Sequence, residues 1–265
     1  MTRSTLRTDW LTPDWPAPAG VHALCTTRVG GVSGAPYDSL NLGDHVGDNP
    51  AHVAANRAIL QQVMGAKPVF LNQVHGTQVL RLDAATPNAS VGDACITDVP
   101  GIACTIMVAD CLPVLFATTD GAWVGAAHAG WRGLAGDKGE GVLEQTYKAF
   151  CAPALINKGL VDTEVIAWLG PCIGPQVFEV GDEVRAAFVA QNAQAEQMFT
   201  PLGGGKWLGN LAGLARQRLA ALGITQIFGN NGSADWCTVT ESSRFFSHRR
   251  DRVSGRLAVC IWRDV

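Results

Sequence analysis

A mixed-sheet α/β domain is the fold this chain predicts, and three observations predict it. Apolar runs of strand length at residues 102–108, 114–118 and 123–127 follow one another, separated by Asp110-Cys111 and the turn pair Asp120-Gly121. Other segments keep helical spacing, as in LAGLARQRLAAL at 211–222. Strands and helices interleave without regular βαβ alternation, which argues against a doubly wound sheet. At 265 residues, 47% hydrophobic and 16% charged, the chain suits one domain spanning 1–265, with residues 1–20 as an N-terminal extension.

The elements follow in order. Residues 21–27 read as a strand leading into RVGGVSGAPY at 28–37, a glycine-rich loop that is flexible unless packing fixes it. Asp48 or Asn49 caps a helix that starts at Pro50 and stops at Gly65. Residues 69–73 and 78–82 are short strands around His75-Gly76. After the three central strands, apolar residues at 142, 143, 147 and 150 mark a helix. A strand at 165–169, helices at 182–191 and 211–222, and strands at 224–228 and 256–262 complete the chain.

Composition narrows the function. A net charge of −3 with no basic excess excludes nucleic acid as the expected partner. The longest apolar stretch, residues 101–117, is broken by Asp110 and Pro113 and reads as core strands, so no membrane partner is expected. The segment MTRSTLRTDWLTPDWPAPAG has no continuous apolar core and is not a secretory signal, so a cytoplasmic protein is expected. Eight cysteines without a CxxC pair then read as reduced thiols, most of them core residues.

Chemistry concentrates at AHAGWRG, residues 127–133. A strand ending there delivers His128 and Arg132 to a turn where Gly130 and Gly133 let the backbone approach a ligand. His75 and Cys111 fall at comparable strand ends. One thiolate and two imidazoles make a sensible zinc site with an open fourth position, although the spacing matches no short metal motif. The same atoms also fit a cysteine nucleophile, Cys111, with either histidine as base, or a buried thiol and two hydrogen-bonded histidines. Asp110 either orients a histidine or shapes its turn. Arg132 either binds phosphate or forms a structural pair. Arg28, Asn41 and Gln73 lie in loops approaching the site and are candidates for substrate binding or turn hydrogen bonding. In SRFFSHRRD, Arg249 or Arg250 either approaches an anion or belongs to a solvated cationic loop. His22, His45, His52 and His248 have no evident partner.

Six strings in one order, TTRVGGVSGAPYDSLNLGDHVGD, NQVHG, GDACITDVPGIACTIMVADCLPVLF, AAHAGWRG, GPCIGPQVFEVG and FFSHRRDRVSGR, resemble the bacterial YfiH-like family. It is also called the laccase-domain or multicopper polyphenol oxidoreductase family. The resemblance implies a layered sandwich and a zinc ion (Zn2+) on His75, Cys111 and His128, with copper (Cu2+) the lesser alternative. It implies phosphorolysis of adenosine, inosine and methylthioadenosine, with purine nucleosides and phosphate as small-molecule partners, and deamination of adenosine as a lesser activity. The older name implies phenol oxidation, but six histidines leave too few for a trinuclear copper cluster. On this basis zinc and Arg132 are expected to position phosphate. Deamination needs a proton shuttle, for which Asp110 and Glu179 are the candidates, and the HxE…PCxxC deaminase signature is absent. Gly209-Asn210 and His248 depart from the usual family pattern and bear on substrate preference. Oligomeric state is not set by any of these features.

Overall fold

Period-two alternation along the central strands decides how the molecule is layered. The computed structural model describes residues 9–152 and 164–264, so residues 1–8 of the expected N-terminal extension lie outside the described part. Its strands are β1 (Val21–Cys25), β2 (Lys67–Phe70), β3 (Val79–Arg81), β4 (Ala94–Thr97), β5 (Ile102–Val108), β6 (Leu112–Thr118) and β7 (Val124–Ala129). They continue as β8 (Val165–Leu169), β9 (Glu179–Gly181), β10 (Phe199–Gly203), β11 (Lys206–Gly209), β12 (Ile227–Gly229) and β13 (Leu257–Arg263). The helices are α1 (Pro50–Met64), α2 (Trp131–Ala135), α3 (Val142–Phe150), α4 (Asp182–Val189), α5 (Leu211–Ala221) and α6 (His248–Asp251).

Two mixed sheets pack face to face. One has the order β1-β13-β5-β2 and the other β12-β8-β6-β7-β4-β3. From β5, Cys104, Ile106 and Val108 face Leu115 and Ala117 of β6 and Val124 and Ala126 of β7. On the outer face of the larger sheet, Leu112, Val114 and Phe116 meet the apolar sides of α3, α4 and α5. On the outer face of the smaller sheet, Ala103 and Met107 meet Leu60 and Met64 of α1. Strands buried on both faces read as continuous apolar runs, which is why 102–118 is so hydrophobic. The four layers are therefore helix, sheet, sheet and helices.

Most expected elements form, with shifted ends. Asn49 is the cap of α1, accepting from the Ala51 N–H at 2.9 Å, and Gly65 closes it at φ 67°. Asp48 instead accepts from the Ser33 hydroxyl at 2.6 Å and the Asn41 amide at 3.0 Å. The glycine-rich loop is fixed by this network, with the Val32 N–H donating to buried Asn56 at 2.9 Å. The strand after Trp123 runs on to Ala129, so His128 lies inside β7 rather than in the turn beyond it. The short strand β4 and the small sheet β10-β11-β9 are additions to the expected elements. Three glycines at 203–205 and Pro201 in β10 hide that hairpin behind residues that ordinarily signal loops.

Residues 101–117 are two core strands in different sheets, not a span. No helix among the described residues is long and apolar enough to cross a membrane. The crossing from β5 to β6, at Ala109-Asp110-Cys111, passes between the two sheets, and the functional site is built there.

Candidate metal centre and active-site cavity

The register of β6 against β7 pairs Leu112 with Ala129 and Pro113 with His128, so Cys111, just before β6, stands beside the end of β7. His75 arrives from the loop after β2, in a left-handed backbone conformation at φ 61°. Its Nε2 lies 3.7 Å from Cys111 Sγ, and its ring stands edge-on to that of His128 at 4.8 Å between centroids. One donor atom from each of the three residues falls within 4.8 Å of the others. Zinc–sulfur and zinc–nitrogen bonds of about 2.3 and 2.0 Å at a tetrahedral angle separate the donors by roughly 3.6 Å. The 3.7 Å His75–Cys111 separation matches this, and the remaining separations, within 4.8 Å, close by small side-chain rotations, so the donor set could hold that ion.

Gly130 makes the approach possible. A Cβ there would sit 2.9 Å from the His75 ring and 3.0 Å from Cys111 Sγ. A Cβ on Gly133 would lie 2.7 Å from the Gly76 carbonyl oxygen. Both glycines of AHAGWRG are thus explained by close packing of the ligand-bearing loops.

The histidine partner is Asp93, a fully buried residue just before β4. One of its oxygens accepts from His128 Nδ1 at 2.8 Å and from the His75 N–H at 2.9 Å. The other accepts from the N–H groups of Gly76 at 2.7 Å and Val74 at 3.1 Å. One carboxylate therefore fixes the loop that carries His75 and turns His128 so that Nε2 faces Cys111. Burial opposes its ionisation, but the His128 and Gly76 hydrogen bonds outweigh burial and hold its pKa below the usual range. Burial likewise disfavours the Cys111 thiolate, yet the adjoining His128 and His75 rings bring its pKa down to about 6. His128 is pulled down by burial and pushed further up by Cys111 and Asp93, to about 9. An arrangement that draws a proton to this point also attracts a cation.

The triad opens on a cavity of about 440 Å³. Apolar groups of Trp131, Ile173, Phe178 and Leu211 line one part of it, and Arg132, Arg249, Arg252 and Arg256 another. Arg132 stacks over Trp131 at 4.4 Å from the ring centroid. Gln73 is in the wall, but its amide both donates to and accepts from the Met107 backbone at 2.8 Å.

For three candidates the structure takes the turn-shaping or turn-bonding alternative over the functional one. Asp110 orients neither histidine: one oxygen accepts from the Thr238 hydroxyl and the other from the Arg249 N–H, each at 2.6 Å. Arg28 lies outside the cavity lining, with its guanidinium bound to Asp38 and to the Ser242 carbonyl and stacked on Phe246. Asn41 is also outside it, buried and tied to Gly43, Asp48 and the Arg256 N–H. Of the two cationic candidates in SRFFSHRRD, Arg249 lines the cavity while Arg250 is turned to Asp251 and to three backbone carbonyls. His45 and His248 also line the cavity, whereas His22 pairs with Asp264. Asp93 escaped the sequence because a single acid before a four-residue strand looks like any turn residue. Its signal was the short apolar run ACIT directly after it.

The chain has likenesses among known proteins in sequence and in fold. It is 49% identical over 254 residues to the protein named purine nucleoside phosphorylase YfiH of Escherichia coli, covering 95% of this chain and 98% of that one. A Pseudomonas aeruginosa protein, also named a purine nucleoside phosphorylase, is 48% identical over 96% of this chain and 98% of its own. The crystal structure of a Neisseria meningitidis protein superposes with a TM-score of 0.87 at 46% identity, covering 97% of this chain and 99% of that one. YlmD from Geobacillus stearothermophilus superposes at 0.88 with 30% identity, covering 100% and 98%. The family described as multi-copper polyphenol oxidoreductase laccase matches residues 22–264, and the chain belongs to that family.

Proposed function

We propose that residues 1–265 form one catalytic unit, a cytoplasmic zinc-dependent purine nucleoside phosphorylase acting on adenosine, inosine and methylthioadenosine. The observation that carries this reading is the His75–Cys111–His128 cluster opening on a cavity with guanidinium groups on one side and flat apolar groups on the other. The names of its relatives support the same reaction class. His75, Cys111 and His128 would hold the ion, which when bound supplies Lewis-acid charge stabilisation beside the reacting atoms.

The chain's own residues do the rest. Trp131 and Phe178 offer ring faces, and Ile173 and Leu211 aliphatic surface, to a purine. Arg132 has no carboxylate partner among the described residues, so its planar fork is free to take two oxygens of phosphate. Held this way, phosphate lies against the ribose C1′, and fixed positive charge offsets its own as the base departs. Asp110 holds Arg249 and Thr238 and shapes the crossing turn.

Zinc is favoured over copper because the cavity lining adds only His45 and His248 to the two triad histidines, while His22 sits on Asp264 and His52 beside Asp48, too few for a histidine-rich copper cluster. Deamination of adenosine is proposed as the slower activity. Asp110 has both oxygens engaged, and Glu179 pairs with Lys206 outside the cavity lining, so neither carboxylate is free to shuttle a proton. The test is the metal content of the purified protein, followed by chromatography of adenosine incubated with and without phosphate. Adenine formed only with phosphate supports the reading. Inosine formed equally fast without phosphate sinks the ranking. Loss of turnover on thiol alkylation, with indifference to chelators, would instead favour a Cys111 hydrolase.

A further inference from the structure

The cavity carries more positive charge than one phosphate needs. Arg132 enters from α2, and Arg249, Arg252 and Arg256 enter from the segment running from α6 to β13. Among the described residues none of the four is ion-paired with a carboxylate. Arg249 and Arg256 bond only to backbone carbonyls of Glu179, Ser254 and Gly255. The carboxylate in the lining, Asp110, is hydrogen-bonded to neutral groups and offsets one of the four charges, that of Arg256 being the one it acts on. A phosphate group brings about two negative charges at neutral pH. A second anionic group is therefore missing from the ligand set.

Arg252 marks where that group goes. Its backbone sits at φ 63° and ψ −59°, and the Val253 N–H donates to the Asp251 carbonyl at 2.7 Å, closing a tight three-residue turn. This turn is strained for any residue but glycine, and such strain persists where the surrounding structure enforces it, often at ligand clamps. The strained backbone carries a side chain in the cavity lining for which no hydrogen-bond partner stands among the described residues. Depth separates the cations: Arg256 is half-buried on the Cys111 side, while Arg252, Arg132 and His248 are exposed at the mouth.

We propose that the wall formed by Arg249 and Arg252 binds a phosphate carried by the nucleoside itself, so that the cavity accepts nucleoside 5′-monophosphates together with inorganic phosphate. This inference rests on the phosphorylase reading for the nucleoside and deepens it. The base and C1′ are committed to the apolar wall and the reacting end. Of the remaining ribose oxygens, those at 2′ and 3′ sit directly on the ring, while the one on the exocyclic 5′ carbon carries a phosphate farthest from C1′, as the exposed Arg252 requires.

The test uses the full-length zinc-loaded protein in saturating inorganic phosphate. Binding of adenosine, adenosine 5′-monophosphate and adenosine 3′-monophosphate is measured by calorimetry and by competition with adenosine turnover. The 5′-monophosphate is expected to bind at least tenfold more tightly than adenosine and to compete with it, while the 3′ isomer gains nothing. Arg252→Gln should remove the gain. Arg252→Gly should remove it too while raising or preserving Tm, because glycine relieves the strained turn. Equal binding of the 5′-monophosphate and adenosine, an equal gain for the 3′ isomer, or a gain that survives both substitutions would each overturn the proposal. Turnover of adenosine without a 5′ preference overturns this inference alone. A 5′ preference in calorimetry without any turnover overturns the phosphorylase reading and leaves this inference standing.

Discussion

The two ends of the cavity solve opposite problems. At the metal end every donor is anchored: Cys111 by the start of β6, His128 by β7, and the His75 loop by three N–H groups that converge on Asp93. At the α6 end the guanidinium groups lack carboxylate partners among the described residues, and one of them sits on a strained turn. The first end is satisfied within the protein and pre-organised for a cation. The second keeps guanidinium charge that the proposed anion would complete. The lesson is that a site can be rigid where geometry selects the ion and open in charge where the ligand itself supplies the missing partner.

The sharpest way to break this contrast is at the metal end. Cys111→Ala, or dialysis against a chelator, is expected to reduce metal content to background by mass spectrometry and phosphorolysis by about a thousandfold, as befits loss of a central electrostatic group. Retained turnover in a metal-free sample would dissolve the distinction between the two ends.

Asp93→Asn tests whether pre-organisation matters. Both carboxylate oxygens accept N–H donors, so an amide would turn its own N–H groups toward two of them. Metal affinity in chelator competition should fall by about 10–100-fold. An unchanged affinity, with circular dichroism confirming the fold, would show that the strands alone set the histidines.

A smaller effect is expected at the anion end. Arg132→Gln should raise the KM for phosphate by about tenfold, the loss of roughly one charged hydrogen-bond pair, and should leave metal content unchanged. If metal is lost as well, the two ends are not independent.

The mildest effect concerns the support behind the arginines. Asn41 accepts from the Arg256 N–H at 2.9 Å and donates to Asp48, whose side chain is 5% exposed. Burial opposes ionisation of Asp48, yet hydrogen bonds from Asn41, Ser33 and the Asn49 N–H hold its pKa below the ordinary value. A depressed pKa means stability that is fully present above the unfolded value of about 3.9 and is lost as pH falls through the lower folded value. Asp48→Asn should therefore cost about 1–3 kcal/mol in urea unfolding at pH 7, with the deficit against the parent shrinking in acid. A deficit that stays constant down to pH 2 would remove the carboxylate from the account.

Legibility in the sequence followed the nature of each interaction. The helix α1 was readable because Asn49, Pro50 and Gly65 act within a few residues of the element they bound. The central strands were readable because burial on both faces leaves an unbroken apolar run. Arg28 and Asn41 stayed undecided in the sequence because a polar residue in a loop looks the same whether it faces a ligand or its own backbone. Arg249 and Arg250 were indistinguishable for the same reason, and only packing turned one into the cavity and the other onto Asp251.

By itself the sequence determined the family, the alternation of apolar strands and helices, and the identity of the thiol and two imidazoles. These depend on local periodicity and on motifs that survive as strings. Tertiary structure alone decided that Asp93 serves both histidines, that Gly130 must lack a side chain, and that four arginines share one cavity. Each of those contacts joins segments far apart in the chain, and no local pattern encodes which distant backbone or charge a side chain will meet.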